Sequence, residues 1–237
     1  SCRADQGHRV DRARSVGDRG ELRARGRPRR PARQQDLDGG AIALDRFSRE
    51  YSVAERRSLH HDKKVKIAEV AAQYLPTTGS VFLDAGTTTE CLAPFLRDRK
   101  ELTVITNSLT LATQIGDSTT KVILLSGRIR PITLSAVGEL ALSALDNFHA
   151  DIAFLGTNGV NSEIGFTTPD PEESAVKRTM IKHARETIVM VDSSKFGKST
   201  ATRFARFEDV DRVVADIKAD ANTVAEMEKA GVEVVLA

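Results

Sequence analysis

Short apolar segments alternate with helix-like segments over most of this chain, and this alternation limits the fold more than any other feature. The strand-like segments lie at residues 81–85, 102–108, 121–127, 151–159, 187–194, 210–216 and 232–237. Strands that are apolar on both faces and separated by helices are typical of a parallel sheet with helices on both sides. The sequence therefore predicts an α/β fold with a parallel-rich sheet and helices on both faces.

Helix-like segments fill the intervals between these strands. They are predicted at about 54–75, 88–97, 136–148, 171–184 and 219–230, with a further short helix that ends at Ile115. In the segment 54–75, apolar residues recur mostly at spacings of three and four, and Pro76 ends the pattern. Two interpretations of this helix are open. It packs between subunits through Val65, Ile67 and Leu75, or it packs onto its own domain.

The first 35 residues differ in composition from the rest of the chain. They contain eleven arginines, no lysine, four acidic residues, no aromatic residue and a single leucine. Such a segment cannot bury enough apolar surface to offset the entropy of ordering, so residues 1–38 are predicted to be disordered. Three interpretations are open: a non-native segment such as an out-of-frame translation, a solvated tail, or a basic arm along a DNA backbone.

The totals exclude several classes of protein. No apolar run approaches the ~18 residues of a membrane span, and no apolar signal-peptide core is present near the N-terminus. The two cysteines, Cys2 and Cys91, fit neither a disulfide framework nor a CxxC metal site. We therefore expect a cytoplasmic protein without membrane association, and we expect no metal and no cofactor.

Polar residues follow four of the predicted strands. They are Asp84-Ala85-Gly86-Thr87, Thr106-Asn107-Ser108, Gly156-Thr157-Asn158-Gly159 and Asp192-Ser193-Ser194-Lys195. Since ligands bind at the carboxyl ends of parallel strands, these segments predict one polar binding floor. The turn at Gly86 can present free backbone N–H groups to an anion, and the hydroxyls of the three threonines add donors.

Two nucleotide-binding motifs are poor matches. The dinucleotide fingerprint GxGxxG needs three glycines, whereas the segment 84–90 supplies one. The segment 197–200, GKST, lacks the earlier glycine of a phosphate-binding P-loop, because Asp192 occupies that position. Both interpretations are therefore disfavoured.

Six motifs, in order, resemble the C-terminal effector domain of the DeoR family of bacterial transcriptional regulators. They are DAGTTT at 84–89, ITNS at 105–108, SGRIRPITLSAVG at 126–138, FLGTNGV at 154–160, PEESAVKRTMIKHA at 171–184 and VDSSKFG at 191–197. The resemblance implies a fold similar to sugar-phosphate isomerases and CoA transferases, and a phosphorylated sugar or related metabolite as effector. It also implies a homo-oligomeric regulator, usually a repressor, in which the effector changes the affinity of a winged helix-turn-helix for operator DNA.

The resemblance also implies a domain organisation. It gives a linker and connecting helix at 39–75 and an effector-binding domain at 76–237. The segment 39–41 resembles the end of a DNA-binding wing, whereas no DNA-reading pattern is recognisable in residues 1–38. We therefore expect this chain to bind effector without binding operator DNA specifically.

The resemblance assigns the ligand-binding residues, none of which it makes catalytic. They are Asp84, Gly86, Thr87, Thr88, Thr89, Asn107, Arg130, Ser135, Gly138, Asn158, Glu173, Lys177, Asp192 and Lys195. The two lysines suit a phosphate as point charges, and an arginine can form paired bonds with phosphate oxygens. Glu173 and Lys177 are also four residues apart, as in an ordinary surface ion pair. Arg130 could equally be a solvated loop charge.

An alternative function is a sugar-phosphate isomerase on the same scaffold. Such an enzyme needs a general base, for which Asp84, Asp192 or Glu173 would be available. A scaffold whose polar floor no longer binds a ligand is a third interpretation. Binding of a sugar phosphate without turnover distinguishes the sensor from both alternatives.

Overall fold

A seven-stranded parallel sheet forms the centre of the computed structural model, which describes residues 50–237. The strands are β1 (Gly79–Leu83), β2 (Leu102–Thr106), β3 (Lys121–Leu124), β4 (Arg128–Arg130), β5 (Ser135–Val137), β6 (Ala150–Gly156), β7 (Gly159–Asn161), β8 (Gly165–Thr168), β9 (Ala184–Val191), β10 (Thr202–Ala205), β11 (Arg212–Ala215) and β12 (Glu233–Leu236). The large sheet has the order β12-β11-β9-β6-β1-β2-β3, and each neighbouring pair is parallel. This confirms the predicted fold class.

Helices cover both faces of this sheet. They are α1 (Val53–Ser58), α2 (His61–Ala71), α3 (Ala93–Leu96), α4 (Leu109–Ile115), α5 (Glu139–Leu145), α6 (Pro171–His183) and α7 (Ala221–Lys229). Side chains of β1 alternate between two cores: Phe82 packs with α5 and α6, whereas Val81 and Leu83 pack with α2, α3 and α4. Each such fully buried apolar side chain contributes about 1.5–3 kcal/mol of transfer free energy.

Two small antiparallel sheets were not predicted. Strands β4 and β5 form a hairpin within the segment expected to be a loop and the start of a helix, so α5 begins at Glu139 rather than near residue 136. Strands β7, β8 and β10 form the other sheet. Gly165 begins β8 with φ +98°, and a Cβ there would lie 2.3 Å from the carbonyl oxygen of Ala205, so this turn requires glycine.

The predicted helix 54–75 is divided in two. A capping box between Ser52 and Glu55 starts α1, and His60 interrupts the helix with φ +56°, in the left-handed region. Helix α2 then packs on the sheet of its own chain, where Ile67 and Ala68 are fully buried, whereas Val65 is only partly buried. The structure thus shows the second of the two packing interpretations.

The predictions for residues 1–38, and for the linker up to residue 49, lie outside the described residues. Among residues 50–237, none of the helices combines the length and the apolar character that crossing a membrane requires.

Candidate functional site

The carboxyl ends of β1 and β6 lie side by side at the point where the sheet order reverses. From β1, the chain adds β2 and β3 on one side, and then places β6 and the later strands on the other. Such a reversal leaves a crevice between the loops that follow the two central strands. A cleft of about 270 Å³ lies here. The topology therefore places the ends of β1 and β6 in the wall of one cleft.

Most of the residues expected to bind ligand line this cleft. They are Asp84, Gly86, Thr87, Thr88, Asn158, Glu173, Lys177, Asp192 and Lys195. Five other expected residues are not part of its wall: Thr89, Asn107, Arg130, Ser135 and Gly138.

Thr89 and Asn107 support the cleft from behind. Thr89 is fully buried, and its hydroxyl oxygen lies 2.7 Å from the carbonyl oxygens of both Asp84 and Gly86, which share its one donor hydrogen. Asn107 Oδ1 accepts a hydrogen bond from the N–H of Ala85 at 3.0 Å, and its Nδ2 donates to Ala136 at 3.3 Å. Both side chains therefore fix the loop that follows β1 instead of facing a ligand.

Arg130 and Ser135 lie on the hairpin β4–β5, next to the cleft residue Glu173. The Ser135 hydroxyl donates to Glu173 Oε1 at 2.9 Å, and Arg130 Nη1 lies 3.5 Å from the same oxygen. Arg130 is further bound to Glu50, and these bonds raise the pKa of its guanidinium above the ordinary value. Its donors are thus occupied by carboxylates. Gly138 lies at the start of α5 with φ +89°, in a separate shallow groove.

The loop after β1 presents unused donors to the cleft. Within residues 50–237, the backbone N–H groups of Gly86, Thr87 and Thr88 have no hydrogen-bond acceptor. The hydroxyls of Thr87 and Thr88 likewise form no hydrogen bond to the described part of the chain. Successive free N–H groups in a turn are a typical anion-binding arrangement.

A buried ion pair joins the two sides of the reversal point. Lys177 of α6 donates to Asp84 Oδ2 and, at 2.9 Å, to the carbonyl oxygen of Gly156. Asp84 Oδ2 also accepts from the N–H of Gly156 at 3.2 Å. Because Lys177 and Asp84 are both nearly inaccessible to water, each compensates the other's charge. Lys177 is therefore not a free cation for a ligand.

The chain before β1 forms a wall of the cleft that the sequence did not predict. Tyr51, Arg56, Leu59, His60 and Lys64 line it from this side, joined from other loops by Gly156, Thr157, Ser194 and Lys198. Arg56 Nε and Nη2 are buried and have no hydrogen-bond partner among residues 50–237. Buried guanidinium nitrogens without partners are rare, so they indicate a binding position for an acceptor.

The cleft has more positive than negative side chains. Five of its lining residues are lysine or arginine and three are aspartate or glutamate. Burial lowers the pKa of Lys64. The negative charge of Asp192 partly offsets this decrease, whereas the positive charge of Lys195 lowers the pKa further. Burial also lowers the pKa of Lys195. Poorly solvated cations that repel each other favour an incoming anion.

The acidic residues of the cleft already have partners. Asp84 is bound to Lys177, and Glu173 accepts hydrogen bonds from Thr133 and Ser135. Asp192 Oδ1 accepts from the backbone N–H of Ser194 at 3.0 Å and from its hydroxyl. The arrangement is therefore suited to hold an anion with hydroxyl groups nearby.

Comparison with known proteins identifies the family. Residues 59–217 match the family model for the DeoR C terminal sensor domain. This chain belongs to the DeoR family. It is 37% identical to the HTH-type transcriptional regulator FruR of Bacillus subtilis, over 76% of this chain and 72% of FruR. It is 30% identical to the glycerol-3-phosphate regulon repressor of Escherichia coli, over 75% of this chain and 71% of that repressor.

The resemblance predicted from the six motifs is thereby confirmed, and the chain contains the sensor domain of a DeoR-family transcriptional regulator. Both of these relatives are named as regulators and not as enzymes. Among solved structures, ribose 5-phosphate isomerase A from Methanocaldococcus jannaschii is similar with a TM-score of 0.43 and 19% identity. That similarity covers 57% of this chain and 54% of the isomerase chain.

Proposed function

We propose that this sensor domain binds a phosphorylated sugar or a related small phosphate ester in the cleft, and that binding alters the affinity of the regulator for operator DNA. The observation that carries the proposal is the set of unused donors on residues that line the cleft. The N–H groups of residues 86–88, the Arg56 guanidinium and the Lys195 ammonium all lack a hydrogen-bond acceptor within residues 50–237. A phosphate group supplies acceptors for all of them.

The rest of the ligand would face polar groups suited to hydroxyls. The Thr168 hydroxyl, with its one hydrogen, lies 3.3 Å from Asn158 Oδ1 and 3.5 Å from Glu173 Oε2, so it donates weakly to one of them at a time. Both oxygens retain capacity to accept a further hydrogen bond. A phosphate ester with one or more hydroxyls therefore matches the cleft better than inorganic phosphate.

The named relatives, which are regulators, favour a sensor over an isomerase. A general base must be free to take a proton from the substrate, and Asp84 is neutralised by Lys177. The name of the E. coli relative, a glycerol-3-phosphate regulon repressor, supports a phosphate ester as effector class. We further propose that the regulator is a homo-oligomer, which light scattering would test.

The proposal is tested by thermal shift and calorimetry with phosphate esters and their unphosphorylated counterparts. Glycerol 3-phosphate and several hexose and pentose phosphates form the panel, with glycerol and the free sugars as controls. A ligand at about 100 times its Kd stabilises the native state by about 2.7 kcal/mol. We expect at least one phosphate ester to raise Tm, no free sugar to do so, and no isomerised product to form.

A matched pair of variants assigns the effect to the cleft. Lys195→Met removes an ammonium from the cleft, whereas Lys182→Met removes an exposed lysine from the last turn of α6. We expect the first variant to weaken phosphate-ester binding about 10- to 100-fold, since a charge-assisted hydrogen bond contributes roughly 1.5–3 kcal/mol. The second should bind like the unmodified chain. Equal affinities in the two variants would contradict the proposal, as would turnover of a ligand.

A further inference from the structure

Arg130 connects three carboxylates from two different parts of the fold, the segment before α1 and the start of α6. Its Nη1 and Nη2 donate to Glu50 at 2.7 and 2.5 Å, and its Nε donates to Asp170 at 3.0 Å. Glu173 Oε1 lies 3.5 Å from Nη1. The Arg130 side chain is only 12% exposed, so solvent weakens these interactions less than at an open surface. A paired arginine–carboxylate contact also fixes geometry as well as charge.

The two parts have different positions relative to the cleft. Glu50 lies three residues before α1, whereas Asp170 is the N-cap of α6 and Glu173 lies in the first turn of α6 and in the wall of the cleft. Arg130 thus connects Glu50, in the segment before α1, to Glu173, in the wall of the cleft. We call residues 50–60 the strap.

The strap lines the cleft and has two attachments. On one side, Val53 donates its N–H to the carbonyl oxygen of Ile132 at 2.9 Å, next to the Arg130–Glu50 contact. On the other side, Arg57 forms an ion pair with Glu90 at 3.0 Å. Between these points, the strap places Arg56 in the cleft. A bound anion would therefore contact the strap directly.

We propose that Arg130 is a positioning residue that couples occupancy of the cleft to the position of the strap. The inference rests on the proposed function, because it takes a phosphate ester as the ligand. The phosphate would bind Arg56 on the strap, while a ligand hydroxyl would bind Glu173 at the other end of the Arg130 network. The phosphate–Arg56 contact and the hydroxyl–Glu173 contact together draw the strap toward the cleft. They do so only if Arg130 holds Glu50, on the strap, and Glu173, in the cleft wall, at a fixed distance from each other. The change reaches Glu50, at the start of the strap.

Hydrogen–deuterium exchange of the full chain tests this coupling, with and without saturating glycerol 3-phosphate. Arg130→Gln breaks the network. Arg128→Gln is the matched control, since Arg128 lies on the same strand, is exposed, and within residues 50–237 forms an ion pair with Glu172 alone. Without ligand, we expect the strap amides of the Arg130→Gln variant to exchange roughly tenfold faster than those of the control, with the large sheet unchanged. With ligand, the strap should become protected in the control and stay unprotected in Arg130→Gln.

Glu50→Gln provides a second variant that leaves the contacts of Arg130 with α6 intact, and it should loosen the strap in the same way. Equal strap exchange in Arg130→Gln and Arg128→Gln would overturn the proposal. Faster exchange throughout the sheet would also overturn it, because Arg130 would then only stabilise the fold. If glycerol 3-phosphate and the other esters fail to bind the unmodified chain while the Arg130 and Glu50 variants loosen the strap, the strap attachment stands and the proposed ligand class is wrong.

Discussion

The buried pair of Asp84 and Lys177 gives the sharpest test of how the cleft is built. The variant Lys177→Met replaces the aliphatic part of the lysine with a flexible apolar side chain and removes the ammonium group. Asp84 then keeps the N–H of Gly156 at 3.2 Å as a partner and loses its counter-charge in a site where only about 2% of the residue is accessible.

The expected cost follows from this geometry. Removing one partner of a buried ion pair costs about 3–5 kcal/mol, because an uncompensated charge remains. A further contact is lost as well, since the Lys177 ammonium lies 5.2 Å from the centroid of the Phe204 ring. For a domain of this size, 1 kcal/mol corresponds to roughly 2–4 °C in Tm. We therefore expect Tm to fall by about 6–20 °C.

Circular dichroism at 222 nm measures Tm on heating and the free energy of unfolding in urea, since the chain has no tryptophan to serve as a fluorescent probe. Lys182→Met, on the exposed side of the same helix, is the control and should lose less than about 1 kcal/mol. The double variant Asp84→Asn with Lys177→Met removes both charges and should recover at least half of the loss. If Lys177→Met matches Lys182→Met in stability, the pair does not carry the structural role assigned to it.

Two further predictions concern the pH dependence and the small sheet. Burial lowers the pKa of Lys64 and of Lys195 below 10.5 in the folded chain. Between the folded-state pKa and 10.5, the unfolded chain therefore binds more protons than the folded chain. The free energy of unfolding without ligand should rise with pH over this range. Calorimetry should show the affinity for a phosphate ester falling over the same pH range, because the two lysines lose their charge. An affinity that does not change with pH would contradict their role as phosphate-binding cations. Gly165→Ala should lower the free energy of unfolding in urea by at least about 2 kcal/mol, because its Cβ would lie 2.3 Å from the carbonyl oxygen of Ala205. Gly197→Ala is the control: it also has a positive φ, +71°, but open space around the Cβ, so it should cost only about 1 kcal/mol. Equal losses in the two variants would contradict the packing argument.

The large sheet could be predicted from the sequence because each of its strands is a local apolar segment between helices. Strand β6, for example, is buried along nearly its whole length. The small sheets could not be predicted in this way. Strand β4 is three residues long with two exposed residues, and its identity as a strand depends on pairing with β5. Only the tertiary fold brings β10 against β8.

The residues of the candidate site also fall into two groups, those that the sequence could predict and those that depend on the tertiary fold. Asp84, Asp192 and the loop 86–88 could be predicted as cleft residues, because parallel strands bring their carboxyl ends together. Arg56 and Lys64 could not, since charged residues on an amphipathic helix are usually solvated. The motif Ser52-x-x-Glu55 was a signal that a helix starts at residue 53. Nothing local indicated the left-handed residue His60, which separates α1 from α2.

The two sides of the cleft differ in how firmly they are held, and this difference decides which side a ligand can move. The wall at Asp84 is fixed by a buried ion pair and by strands on both sides. The strap is attached through side chains and a backbone bond: the Arg57–Glu90 pair, whose arginine is 46% exposed, the Arg130–Glu50 contact, and the N–H of Val53. A ligand with a micromolar Kd supplies about 8 kcal/mol of binding free energy, and the part that acts through Arg56 acts on the strap. Ligand binding should therefore tighten residues 50–60 on the cleft while the sheet stays in place, so these residues are where occupancy of the cleft becomes a change in structure.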